Sequence, residues 1–231
     1  MSHLELACFT PTSALTAQSA GASRIELCTS YPAGGLTPPH STLLALKSNP
    51  FITIPIFVMI RPRAGDFVYS APEFAQMRDE IAAFKALERG PDGFVFGILT
   101  SEGRVDAERC GELVRLAGGA SCTFHRAIDE VRDLWEGVEA VVECGFQAVL
   151  TAGRGGDAVG GVEVLEEIKR RVKGRLEVVV GGGVRRGNIG GLRGRVGEGW
   201  YHSAAIMGQG EEADGGERDL SGLSRSSFHS A

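Results

Sequence analysis

The sequence predicts an α/β chain folded as a (β/α)8 TIM barrel with a missing or very short last helix. Three observations carry this expectation. Eight short β-branched or aromatic runs alternate with stretches of helical periodicity, polar residues stand at the C-terminal end of nearly every run, and 33 glycines in 231 residues supply many tight turns. An open doubly wound sheet shares the alternation but gathers its polar residues at one switch point. Polar strand ends all along the chain favour closure.

The expected strands are residues 4–9, 24–28, 53–61, 93–100, 121–126, 147–151, 176–180 and 199–203. Alternation assigns each side chain to the helices or to the barrel axis. In the first strand Leu4, Leu6 and Cys8 point outward, leaving Glu5 and Ala7 inside. In the second, Ile25 and Leu27 point out while Arg24, Glu26 and Cys28 point in. The third sends Phe57, Met59 and Arg61 inward, the fifth Thr123 and His125, with Arg126 at the lip and Asp129 just beyond. Thr151 and His202 stand at the ends of the sixth and eighth.

Helices are read from apolar stripes. Phe74, Met77, Ile81 and Phe84 form one, Trp135, Val138 and Val142 a second, and Val162, Leu165, Ile168 and Val172 a third. Residues 41–47 form a helix after Pro38-Pro39, residues 106–117 another that ends at Gly118-Gly119, and Asp157 opens the helix that Gly174 closes. The seventh helix would have to use residues 188–195, where three glycines, at up to ~1 kcal/mol each relative to alanine, predict a poor helix. Residues 1–208 form one barrel domain, and residues 209–231 an acidic, glycine-rich tail without an apolar stripe, expected to be flexible.

Composition narrows the function. With 43% hydrophobic and 23% charged residues, disorder, coiled coil and collagen drop out. A net charge of -5 leaves no nucleic-acid footprint. The apolar run 51–60, interrupted by Thr53 and Pro55, is about half the length of a membrane span, so a buried strand is expected and no membrane partner. The N-terminus shows no basic n-region followed by an apolar h-region, which predicts a cytoplasmic protein. Five scattered cysteines without CxxC spacing argue against a disulfide framework or structural zinc.

Cations are lopsided. Only Lys47, Lys85, Lys169 and Lys173 accompany twenty arginines, so a bound anion would meet guanidinium geometry. One reading is an enzyme acting on a small anionic or phosphorylated substrate. Arg61, Arg63 and Arg126 would clamp the anion, with Asp66 and Thr151 beside them. Gly182, Gly183 and Ser203 would occupy the usual phosphate corner after strands seven and eight. His125 or Glu26 is the candidate base, Asp129 or Glu26 would orient an imidazole, and His202 completes the polar set. No lysine lies at a strand end, which excludes Schiff-base chemistry. The plain alternative is a web in which Glu5 and Glu26 neutralise Arg24, Arg61 and Arg126.

Residues 24–28 (RIELC), 34–38 (GGLTP), 57–63 (FVMIRPR), 65–67 (GDF), 123–129 (TFHRAID), 149–151 (VLT) and 181–184 (GGGV) resemble, in order, the CutC copper-homeostasis family of barrels. The resemblance runs from about residue 4 to 205. It implies a TIM barrel, a cytoplasmic setting, homo-oligomers and copper(I) held by cysteines near the tops of strands one and two. Cys28 matches the second of these, while the first position reads Ala7 with Cys8 beside it. Cys28 with Cys8 is therefore the first candidate pair. Cys28 with Met59 is the second, a thiol and a thioether on one inward face suited to a soft cation. The resemblance also implies a longer helical segment after strand eight, which the residues after 207, acidic and without an apolar stripe, are not expected to form.

Overall fold

The structure, a computed structural model, describes residues 1–154 and 156–204. Eight parallel strands close into a barrel: β1 (His3–Cys8), β2 (Arg24–Leu27), β3 (Ile56–Met59), β4 (Gly93–Phe96), β5 (Ser121–Phe124), β6 (Ala148–Thr151), β7 (Glu177–Val180) and β8 (Trp200–Ser203). Each pairs with the next and β8 returns to β1, so no edge is left unpaired. Among the described residues seven α-helices cover the outside: α1 (Pro11–Ser19), α2 (His40–Lys47), α3 (Ala71–Lys85), α4 (Ala107–Ala117), α5 (Leu134–Glu143), α6 (Val162–Arg171) and α7 (Arg186–Val196). The expected short or missing last helix and the 209–231 tail lie outside the described residues.

Strand alternation builds two separate apolar layers. Leu4, Leu6, Cys8, Ile25, Leu27, Ile56 and Val58 join the large core between strands and helices. Cys28, Phe57, Met59 and Val95 pack together in a second cluster, and Ala148, Leu150 and Val179 in a third. The inward positions are thus apolar on some strands and charged on others.

Several expectations are corrected. β3 starts at Ile56, because the Thr53 and Ile54 amides bond the Gln18 side chain at 2.7 and 3.1 Å instead of a neighbouring strand. β4 stops at Phe96, since Leu99 then bonds the Phe67 carbonyl and Thr100 turns back to Arg104. Asp157 does not open α6. Its carboxylate caps a preceding turn by accepting from the Gly160 amide at 2.8 Å, and the helix begins at Val162. Helix α1 carries no visible apolar stripe because its buried face is only Ala14 and Ala17, yet Thr10 and Ser13 close a capping box at its start.

The glycine-rich α7 forms despite its propensity. Ile189, Leu192 and Val196 bury one face, and the Asn188 side chain bonds the Arg185 amide and the Gly183 carbonyl, both at 2.8 Å. Three buried aliphatic side chains, at about 1.5–3 kcal/mol each, outweigh the glycine penalty. Gly187, Gly190, Gly191 and Gly194 meet nothing within 4 Å, so they lie away from the packed face.

Candidate functional site

The polar centre grows from β1, β2 and β8. Pairing sets Glu5 beside Arg24 on one flank and beside His202 on the other. Glu5 is 0% exposed, ion-paired to the Arg24 guanidinium, and 2.7 Å from His202 Nδ1. Arg24 lies between the rings of Phe57 and Trp200, 4.2 and 4.1 Å from their centroids, which compensates a buried cation with two π faces. Burial pushes the Glu5 carboxyl up, but Arg24 and His202 outweigh it and hold it down at about 2.

Glu26 takes the opposite course. Burial, with the nearby Glu5 charge, raises its pKa above the usual carboxylate range against the pull of His202. Its Oε2 accepts the Cys28 thiol at 3.4 Å and lies 3.9 Å from His202 Nε2, while Oε1 has no partner. Burial disfavours a charged His202, but Glu26 and Glu5 raise its pKa overall. One ligand atom from each of Glu5, Glu26 and His202 lies within 4.8 Å of the others. Two carboxyls driven in opposite directions around one imidazole can hold and pass a proton.

A second group stands just past the C-terminal ends of β3 and β5. Arg61 is 7% exposed and donates through Nη1 to the carbonyls of Ala33, Gly34 and Gly35 at 2.9, 3.4 and 3.3 Å, and through Nη2 to Gly65 at 3.0 Å. It thereby ties the loop after β2 to the loop after β3. Its guanidinium carbon sits 4.9 Å from the Phe67 ring centre, and the His125 ring lies 4.8 Å from that same ring. His125 is 4% exposed, and its Nδ1 accepts the Ala127 amide at 3.3 Å. Burial, then the Arg61 charge, pushes its pKa down to about 3, so the imidazole is neutral. Gly97 makes the room: a Cβ there would stand 2.8 Å from His125 Nδ1.

Other candidates have structural partners. Arg63 is clasped by Asp66 and Glu73 at 2.8 and 2.6 Å and by the carbonyls of Ala64, Asp66 and Val68, on the outer side of its loop. Arg63 and Asp66 therefore stabilise that loop rather than face the axis. Among the described residues Asp129 orients no imidazole. It accepts from Thr151 Oγ1 at 2.5 Å, from the amides of Ala152 and Arg154, and from Arg126 at 2.9 Å, fastening the loops after β5 and β6. The Arg126 guanidinium lies against Gly182, where a Cβ would come within 3.2 Å of it and within 2.8 Å of Ala152. Gly182 and Gly183 hold φ of +89° and +71°, which explains glycine at both positions. The Ser203 hydroxyl donates to the Val184 carbonyl at 2.7 Å and receives Arg185 at 3.2 Å.

The two cysteines separate. Cys28 packs with Met59 inside the barrel, whereas Cys8 belongs to the outer core and donates to the Leu6 carbonyl at 3.5 Å. Burial pushes the Cys8 thiol up to about 12, and burial with the Glu26 charge raises Cys28 well above its ordinary value. Sequence reading missed Phe67 and Trp200 as parts of the centre. Trp200 was accessible, because it stands two positions before His202 on one face of β8. Phe67 is in a loop and leaves no periodic trace.

A closed eight-stranded parallel barrel with a buried charged cluster on its axis makes this a (β/α)8-barrel protein. The model of the CutC family matches residues 2–207, and the chain belongs to that family. A CutC family protein of Mesorhizobium japonicum is 40% identical over 83% of this chain and 73% of its own length. The copper homeostasis protein cutC homolog of Mus musculus is 42% identical over 77% of this chain, which spans 64% of that protein. Among solved structures, CutC from Streptococcus agalactiae superposes with a TM-score of 0.81 at 30% identity, covering 88% of this chain and 99% of the other. Thiamine phosphate pyrophosphorylase from Pyrococcus furiosus, at 16% identity and a TM-score of 0.61, shares the fold alone.

Proposed function

We propose that this chain is a cytoplasmic copper homeostasis protein that binds Cu(I) through Cys28 near the barrel mouth, with Met59 as the second sulfur. The observation that carries the reading is the pairing of the only inward cysteine among the described residues with a thioether. Cys28 Sγ and Met59 Cε come within 3.3 and 3.9 Å of the same point above Gly35. Cu(I) is soft and prefers sulfur in low coordination number. Cys8, on the other side of the β-sheet wall, is the less suited partner.

Binding requires a thiolate, and a buried thiol resists losing its proton. Glu26 supplies the acceptor. Its Oε2 already receives the Cys28 hydrogen, and its raised pKa suits it to take the proton as the S–H bond breaks and the S–Cu bond forms. His202 then stabilises whichever carboxylate stays charged. The relatives' names support the copper assignment, and the homo-oligomeric state expected from the family belongs to the same proposal.

The test is anaerobic titration with Cu(I) against a chromophoric chelator. One equivalent should bind to the wild type, to Cys8→Ala and to Cys110→Ala, none to Cys28→Ser, and Met59→Leu should bind at least tenfold more weakly. Undiminished stoichiometry in Cys28→Ser overturns the reading.

A further inference from the structure

We infer that the Arg61–His125 pair is a receptor for a small carboxylate, a second ligand site separate from the sulfur pair. Arg61 is a buried guanidinium whose described contacts include no carboxylate. Four backbone carbonyls occupy Nη1 and Nη2, and Nε has no partner. His125 is in the same position. Since Nδ1 accepts the Ala127 amide, a neutral ring carries its hydrogen on Nε2, and that atom is also buried without a partner.

Each orphaned buried polar group costs about 1–3 kcal/mol, so two on one aromatic platform point to an absent acceptor. Both groups are hydrogen donors and both pack on Phe67, which limits the ligand to something that accepts only. The Tyr69 hydroxyl lies beside Arg61, whose charge and hydrogen bond oppose the rise that burial imposes on it.

Shape narrows the class further, because a planar carboxylate offers two oxygens to two N–H groups. Arg63 and Arg126, engaged with Asp66, Glu73 and Asp129, take no part.

The experiment uses copper-free full-length protein labelled with 15N and sodium acetate as the probe. The Arg61 Nε–H and His125 Nε2–H signals should both shift and saturate with a single dissociation constant. Cys28→Ser should leave that constant unchanged, which keeps this test independent of copper binding. His125→Phe retains the ring on Phe67 but has no donor, and it should weaken acetate at least tenfold. If that variant fails to fold, the wild-type titration still decides. No saturable shift, or equal shifts from chloride or phosphate at the same concentration, overturns the carboxylate assignment.

Discussion

Replacing Arg24 by methionine isolates what holds the barrel centre together. The substitution keeps an apolar stem between Phe57 and Trp200 but strips Glu5 of its principal counter-charge. Glu5 is fully buried, so water cannot replace the lost partner, and only His202 remains. Removing one member of a buried pair costs about 3–5 kcal/mol, a large part of the ~5–15 kcal/mol of a typical domain. With a denaturant slope of about 3 kcal/mol per molar, the urea midpoint falls by roughly 1–1.7 M.

The pH dependence supplies the sign. In the wild type the Glu5 carboxyl is held at about 2, below its ordinary 4.5, so its stabilisation is present above 4.5 and fades as pH falls toward 2. In Arg24→Met the dominant burial effect raises that pKa, and the penalty is largest at neutral pH and shrinks on acidification. Urea unfolding followed by circular dichroism at pH 7 and pH 5 measures both. Adding Glu5→Gln to Arg24→Met should recover more than half of the loss. A single-variant loss below about 1 kcal/mol, or a double variant no better than the single, refutes the reasoning.

Three further outcomes follow from the same geometry. Gly97→Ala should destabilise by about 1–3 kcal/mol and displace the His125 ring signals in NMR spectra, because its Cβ would overlap His125 and Phe124 at 2.8 and 3.0 Å. The His202 pKa, read by NMR titration, should lie above 6.5, so its share of stability is full below the unfolded value and is lost as pH rises through the folded one; Glu26→Gln should bring the pKa down. Thr151→Val should cost about 1–2 kcal/mol in thermal unfolding by breaking the 2.5 Å bond that fastens Asp129 to β6, whereas Ser203→Ala should leave the Asp129 loop signals in place.

The barrel was legible in the chain because closure repeats one simple signal eight times. Period-two alternation in residues such as Ile25 and Leu27 separates an outer face from an inner one, and no distant contact is needed to read it. Local signals also placed α3, through the stripe of Phe74, Met77, Ile81 and Phe84, and they failed at α7, where propensity is a local quantity and burial of Ile189, Leu192 and Val196 is not.

By itself the sequence determined which residues face the axis, because side-chain direction along a strand follows from covalent geometry: Glu26, Cys28, Met59, Arg61, His125 and His202 were named on that ground. Tertiary structure alone decided which of them meet. Contacts across the barrel depend on register, on loop paths and on which partner a long side chain reaches first. That is why Asp129 fastens loops, Arg63 turns outward to Asp66 and Glu73, and Phe67, arriving from a loop, becomes the surface on which Arg61 and His125 come together.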